Sequence, residues 1–179
     1  MSTLSRALCV GAALLALCAA VPVGAAEPGV PPIPYQSRTL ANGLTVYWAV
    51  DKTTPNVTVQ VWYDVGGKDD PPGRSGFAHL FEHLMFKGTK DMPAEFMDRL
   101  TEDVGGFNNA STAEDYTNFY EVIPANHLQS LIWAEAERMG ALVVDRANFA
   151  SERSVVKEEL RLRVLASPYG RLFNYDLPE

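Results

Sequence analysis

The sequence predicts an α+β fold in which an antiparallel or mixed β-sheet packs against helices in a two-layer sandwich. Residues 56–65 alternate between apolar and polar side chains, with Val57, Val59 and Val61 on one face. This alternation is typical of a strand with one buried face. Predicted strands come first along the chain and most of the predicted helices follow, an order that favours helices layered over one sheet.

The remaining strands are predicted in two pairs. Asn42-Gly43 separates a short run at 38–40 from the apolar run 44–50, and Asn-Gly between such runs is the strongest short-range signal for a β-hairpin. A second strand pair is predicted over residues 107–112 and 115–123, where side chains again alternate.

Four helices are predicted. The first lies between Gly76 and Gly88, a run of good helix formers without proline. The second runs over residues 93–104, with proline in its first turn and a Gly-Gly pair after its end. The third and fourth cover residues 125 to about 142 and 148 to about 166.

The first 26 residues have the pattern of a cleaved secretory signal: Arg6, an apolar run rich in Ala and Leu, and small residues before Glu27. An uncleaved anchor is the alternative, but the run is short of the roughly 20 residues needed to span a bilayer. We therefore expect a signal peptide over 1–26, an extended proline-rich leader over 27–37 and one folded domain over 38–179. The product would be exported, most simply to a bacterial periplasm, or secreted or membrane-associated, with no stable membrane span after cleavage.

Composition limits both the classes of partner and the types of residue that could bind a metal. The net charge is −7 and no basic cluster is present, which argues against nucleic acid as a partner. Both cysteines, Cys9 and Cys18, fall inside the predicted signal. Any metal site in the exported chain must therefore use histidine and carboxylate ligands.

The segment with the clearest chemical meaning is His79-Leu80-Phe81-Glu82-His83. On a helix, His79 and His83 are four residues apart and leave the same face, so both imidazoles could reach one zinc ion. Glu82 lies beside that face, where its carboxylate could take a proton from zinc-bound water. The alternative is an ordinary amphipathic helix, but two of the three histidines in the chain make this pair.

A catalytic zinc needs one more protein ligand and keeps its fourth position open. Spacing leaves several carboxylates as candidates, and Glu152 and Glu159 fit best because they are seven residues apart on one helix face. A solvated acidic stripe paired with nearby Arg and Lys residues is the alternative for these two. The full candidate set is Glu114, Asp115, Glu121, Glu135, Glu137, Glu152, Glu158 and Glu159.

Three motifs in order resemble the N-terminal domain of pitrilysin/insulinase-type zinc peptidases, a group with exported bacterial members and the mitochondrial processing peptidases. They are residues 79–89, residues 105–112 (Gly-Gly-Phe-Asn-Asn-Ala-Ser-Thr) and residues 152–159 (Glu-Arg-Ser-Val-Val-Lys-Glu-Glu). The resemblance covers about residues 39–169. It implies the metallopeptidase N-terminal domain type of α+β sandwich.

The resemblance also implies residue roles. His79, His83 and Glu159 would hold one zinc ion per chain, and Glu82 would be the general base. Glu152 would support the site from beside the ligands. Asn109 and Ala110 would lie on an edge strand that pairs with the substrate backbone.

The expected function is therefore zinc-dependent endopeptidase activity on peptides or unfolded segments, with zinc-bound water as the nucleophile. Family members close a chamber from homologous domains, and we expect this chain to be truncated at its C-terminus. The alternatives are a catalytic half that needs further C-terminal domains or a partner subunit, and a non-enzymatic scaffold subunit of the same family.

Overall fold

The computed structural model describes residues 32–173 of the 179-residue chain. The described residues divide into two compact units, with the boundary between residues 51 and 52. The predicted signal peptide and the first part of the predicted leader lie outside the described residues. No helix in the described part of the chain has the length and apolar character needed to cross a membrane.

The described part of the first unit is a β-hairpin. Strands β1 (Gln36–Thr39) and β2 (Thr45–Trp48) pair antiparallel, and the Leu40 N–H donates to the Leu44 carbonyl at 2.8 Å to close the turn. Gly43 has a φ of +90°, a conformation that glycine adopts without steric cost. The predicted hairpin is confirmed, but β1 includes the last two residues of the predicted leader because Gln36 and Ser37 pair with β2.

The described part of the second unit, residues 52–173, contains three strands and four α-helices, in the order that the sequence predicts. Short 3₁₀ turns precede the first and third helices, and a π-helical turn, Leu160–Leu165, continues the fourth. The elements are β3 (Asn56–Tyr63), α1 (Phe77–Leu84), α2 (Phe96–Glu102), β4 (Phe107–Thr112), β5 (Thr117–Pro124), α3 (Leu128–Gly140) and α4 (Arg146–Glu159).

The three strands form an antiparallel sheet in the order β3–β5–β4. Val59 lies opposite Glu121, and Ala110 lies opposite Phe119. Strand β4 pairs only with β5 among the described residues, so its other side is a free edge. The prediction of an edge strand over Asn109 and Ala110 is consistent with this position.

Helices cover one face of this sheet. Because strand side chains alternate, Phe119, Glu121 and Ile123 of β5 share the face of the alternating valines of β3. Helices α1 and α2 pack on β4 and β5, α3 packs on β3, and α4 packs mainly on α1. The predicted α+β sandwich of sheet and helices is confirmed. Its core consists of Met92, Met97, Ile123, Leu131 and Ala134, packed against Val57, Val59, Phe96, Leu100 and Val104.

A charged cluster lies within this layer. Arg138 is 1% exposed and donates to Glu121 Oε1 at 2.8 Å and to both oxygens of Glu135. Its guanidinium lies 4.2 Å from the centre of the Phe119 ring. Burial, and then the neighbouring Glu135, raises the pKa of Glu121 to about 8 against the opposing effect of Arg138. Glu121 is therefore protonated at neutral pH, which leaves one carboxylate to pair with one guanidinium.

Candidate metal centre

Helix α1 is held at its start by a carboxylate from the preceding loop. The backbone N–H groups of Gly76, Phe77 and Ala78 donate to the Asp70 carboxylate at 2.5, 3.2 and 2.8 Å. These donors have no partner inside the helix, and a negative charge is favourable at a helix N-terminus. Burial of Leu80 and Leu84 then fixes the rotation of the helix and leaves His79 and His83 on the side that borders a cleft.

The two imidazoles and one carboxylate converge at this cleft. His79 Nε2 and His83 Nε2 are 3.2 Å apart. Glu159 Oε2 lies 3.6 Å from the first nitrogen and 3.7 Å from the second. Ligand atoms of the three residues all lie within 4.8 Å of one another, and all three residues are partly buried.

This triangle fits a tetrahedral metal ion. Bonds of about 2.0–2.2 Å to nitrogen and oxygen at tetrahedral angles place neighbouring ligand atoms about 3.3–3.6 Å apart. The three observed separations lie near that range. Moreover, Glu159 Oε2 is buried without a hydrogen-bond partner, although buried polar atoms are nearly always paired. A cation among the three groups would satisfy this oxygen.

Of the carboxylates that spacing left open, Glu159 is the one that reaches both histidines. It is the last residue of α4, immediately before the π-helical turn. The other candidates have different partners: Glu121 and Glu135 pair with Arg138, Glu137 accepts from Thr89, Glu158 pairs with Arg161, Asp115 pairs with Lys68, and Glu114 lies against the loop at Gly66 and Gly67.

Glu152 lies beside His83. Its Oε2 is 3.5 Å from His83 Nδ1, the ring nitrogen that does not face Glu159. Its Oε1 is 3.0 Å from Lys87 Nζ, and the side chain is 6% exposed. A carboxylate at Nδ1 favours the tautomer in which Nε2 is free to bind a metal.

Glu82 borders the same cleft but is not one of the three converging groups. Its Oε2 accepts a hydrogen bond from Thr112 Oγ1 at the end of β4. The Glu82 carboxylate therefore lines the same cleft as the three converging groups without being one of them.

The free edge of β4 forms one wall of the cleft, which has a volume of about 470 Å³. Asn109 and Ala110 both line it. The Ala110 N–H donates to Asn109 Oδ1 at 2.9 Å, so a side-chain amide satisfies this backbone donor. Asp98 and Arg163 add charges of opposite sign to the lining.

Comparison with known proteins decides the family. The model of the insulinase family (peptidase family M16) matches residues 45–165, well over half of the chain. The chain belongs to the insulinase family. Among its relatives, "Zinc protease PqqE" of Helicobacter pylori is 39% identical over 140 residues, covering 78% of this chain and 32% of the relative. "Probable mitochondrial-processing peptidase subunit beta" of Arabidopsis thaliana is 33% identical over 125 residues, covering 69% and 23%.

Superposition on solved structures also matches this chain to a known protease. A crystal structure of a protease from Helicobacter pylori superposes with a TM-score of 0.75 at 39% identity. It covers 79% of this chain and 34% of its own. The chain therefore spans about a third or less of the length of these relatives.

Several side chains at this site received no role from the sequence, among them Thr112, Lys87, Asp98 and Arg163. Thr112 and Lys87 stand within the motifs, but only packing shows that they contact Glu82 and Glu152. Asp98 and Arg163 lie on other elements, and no local pattern places them at the cleft. The signal that could have found the first two is their position: Lys87 lies in the first motif and Thr112 in the second, and both motifs also supply predicted site residues.

Proposed function

We propose that this chain is a zinc-dependent endopeptidase domain that acts on peptides or unfolded protein segments. The observation that carries the proposal is the convergence of His79, His83 and Glu159 beside Glu82, at a cleft walled by a free strand edge. The relatives named as a zinc protease and a processing peptidase support it.

In this proposal His79, His83 and Glu159 hold one zinc ion per chain. Zinc held there supplies Lewis acidity, which lowers the pKa of water toward about 7 and polarises a carbonyl group. Glu82 accepts a proton from the attacking water and returns it to the leaving amine. Glu152 keeps His83 oriented through Nδ1.

The substrate backbone would add to the sheet along β4. Exposed backbone groups at a sheet edge are a ready template for an extended peptide. A substrate carbonyl would replace Asn109 Oδ1 as the acceptor for the Ala110 N–H. This pairing would place the peptide along the wall of the cleft that holds Glu82 and the histidines.

The test is cleavage of an unstructured quenched-fluorescent peptide by the full chain with zinc. Glu82→Gln should retain zinc and abolish cleavage, because the amide cannot accept the proton. Glu102→Gln, at an exposed glutamate on α2, is the matched control and should cleave normally. Cleavage that survives in Glu82→Gln would contradict the assigned base.

A second candidate is a catalytic half that cleaves only with further homologous domains or a partner subunit. Two observations favour it: the matched part of this chain covers only 32% and 23% of these two relatives, and one of them is named as a subunit. Tight zinc binding without cleavage by the chain alone is the expected result in this case. A chain that binds no zinc would instead favour a scaffold subunit.

We also propose that residues 1–26 direct export, most simply to a bacterial periplasm. Fractionation followed by N-terminal sequencing tests this: a mature N-terminus near residue 26 in the exported fraction is expected. Retention of the intact N-terminus in the cytoplasmic fraction would refute it.

A further inference from the structure

Strand β4 is tied to helices at two points on its inner face. Asn108 Nδ2 donates to Thr101 Oγ1 at 2.8 Å and to Asp98 Oδ1 at 3.1 Å, which fixes the start of the strand to α2. Thr112 Oγ1 donates to Glu82 Oε2, which fixes its end to α1. Because side chains alternate along a strand, Ala110 lies between these two ties on the same face.

The direction of the hydrogen bond between Thr112 and Glu82 follows from the chemistry of the two groups. An ionised carboxylate only accepts hydrogen bonds, whereas a threonine hydroxyl has one proton to donate. The neighbouring Thr117 Oγ1 is 3.4 Å from Thr112 Oγ1, but it lies only 2.9 Å from the Val65 carbonyl, which is the better acceptor for its proton. As an acceptor for the Thr112 proton, the Thr117 hydroxyl is both more distant and weaker than the Glu82 carboxylate, so Thr112 donates to Glu82.

A general base needs a defined position because proton transfer depends on hydrogen-bond reach to the water. A glutamate side chain has considerable rotamer freedom, and a bond to Oε2 removes much of it. The other oxygen, Oε1, can still accept a proton. The bond also joins the carboxylate to the strand whose free edge borders the cleft.

We propose that Thr112 is a positioning residue for Glu82, and that it couples the orientation of this base to β4. The inference rests on the proposed peptidase function. The substrate strand and the base are then parts of one rigid arrangement, in which Asn108 secures one end of β4 and Thr112 the other.

The kinetic test uses two substitutions at this position. Thr112→Val keeps the shape of the side chain and removes the hydroxyl, so kcat should fall about tenfold while KM stays within about twofold. Thr112→Ser restores the donor and should recover most of the loss. Thr58→Val, at an exposed threonine on β3, is the matched control. Zinc affinity should be the same in all of these variants.

Two kinetic results would overturn the proposal. If Thr112→Val retains the kcat of the unsubstituted chain, the hydroxyl does not position the base. If KM rises and kcat does not fall, Thr112 supports the substrate strand alone. Failure of Thr112→Ser to recover activity would likewise show that the hydroxyl is not what matters.

A stability measurement, which does not require the chain to cleave peptides, separates this inference from the proposed function. Melting temperatures of the metal-free Thr112→Val, Glu82→Ala and double variants should not be additive, because both single changes remove the same bond. Additive shifts would overturn the Thr112–Glu82 link. If the unsubstituted chain cleaves no peptide, the proposed function fails as stated for this chain, while the melting series still decides the link.

Discussion

Exchange of Glu159 for glutamine tests the choice of the third metal ligand. Glu158 is its neighbour on the same helix and provides a matched control, since Glu158 is exposed and pairs with Arg161 at 2.6 and 2.8 Å. Glu159 instead directs Oε2 toward both histidines at 3.6 and 3.7 Å. The two substitutions make the same chemical change one residue apart.

The expected loss of zinc affinity follows from the number of ligands that share the binding free energy. Zinc binding by four-ligand sites is worth about 10–16 kcal/mol, or about 3 kcal/mol for each ligand. Loss of the Glu159 carboxylate should therefore weaken zinc binding about 100-fold or more, since 1.36 kcal/mol corresponds to a factor of ten. Glu152→Gln, which perturbs only the support of His83, should weaken it about 10- to 100-fold. Glu158→Gln should leave it unchanged.

The assay is competition for zinc with a chromophoric chelator, followed by melting of the metal-free proteins. Because Glu159 Oε2 is buried without a hydrogen-bond partner, Glu159→Gln should not lower the metal-free melting temperature. Equal zinc affinities for the Glu159 and Glu158 variants would refute the assignment. A loss in the Glu158 variant alone would show that the helix presents the other carboxylate.

The remaining predictions concern the layer behind the site. The folded pKa of Glu121 is raised from 4.5 to about 8, so the folded chain binds a proton that the unfolded chain releases, and stability falls as pH rises between these values. Glu121→Gln should flatten this dependence in denaturant titrations at pH 5 and pH 8.5, and an unchanged slope would contradict the proton assignment. Arg138→Met should destabilise the fold by about 3–5 kcal/mol because it leaves the buried carboxylate of Glu135 without its cation. Exposed Arg99→Met is the control, and equal effects of the two substitutions would count against the cluster. Gly106→Ala would bring a Cβ to 2.2 Å from a carbonyl oxygen of β5 and should lower the melting temperature, whereas Gly140→Ala meets nothing within 4 Å.

Local sequence patterns were sufficient to predict the helices and strands, and also the two histidines of the site. The i, i+4 spacing of His79 and His83 has one consequence on a helix, whatever the rest of the chain does. Alternation over residues 56–63 likewise assigned the buried face of β3, because the strand period is fixed at two. Helix ends were less certain: α2 begins at Phe96 rather than at residue 93, since ends depend on competing turns.

The sequence by itself determined the pair of histidines, the position of Glu82 beside them and the strand and helix order, because each depends on neighbours within a few residues. Which carboxylate completes the triangle was decided by the packing of α4 on α1, and the resemblance to a known family, rather than spacing, had pointed to Glu159. The contact between Thr112 and Glu82 spans 30 residues of sequence, and the pairing of Glu121 with Arg138 spans 17. Such contacts arise only when helices and sheet are layered together, so no local pattern encodes them.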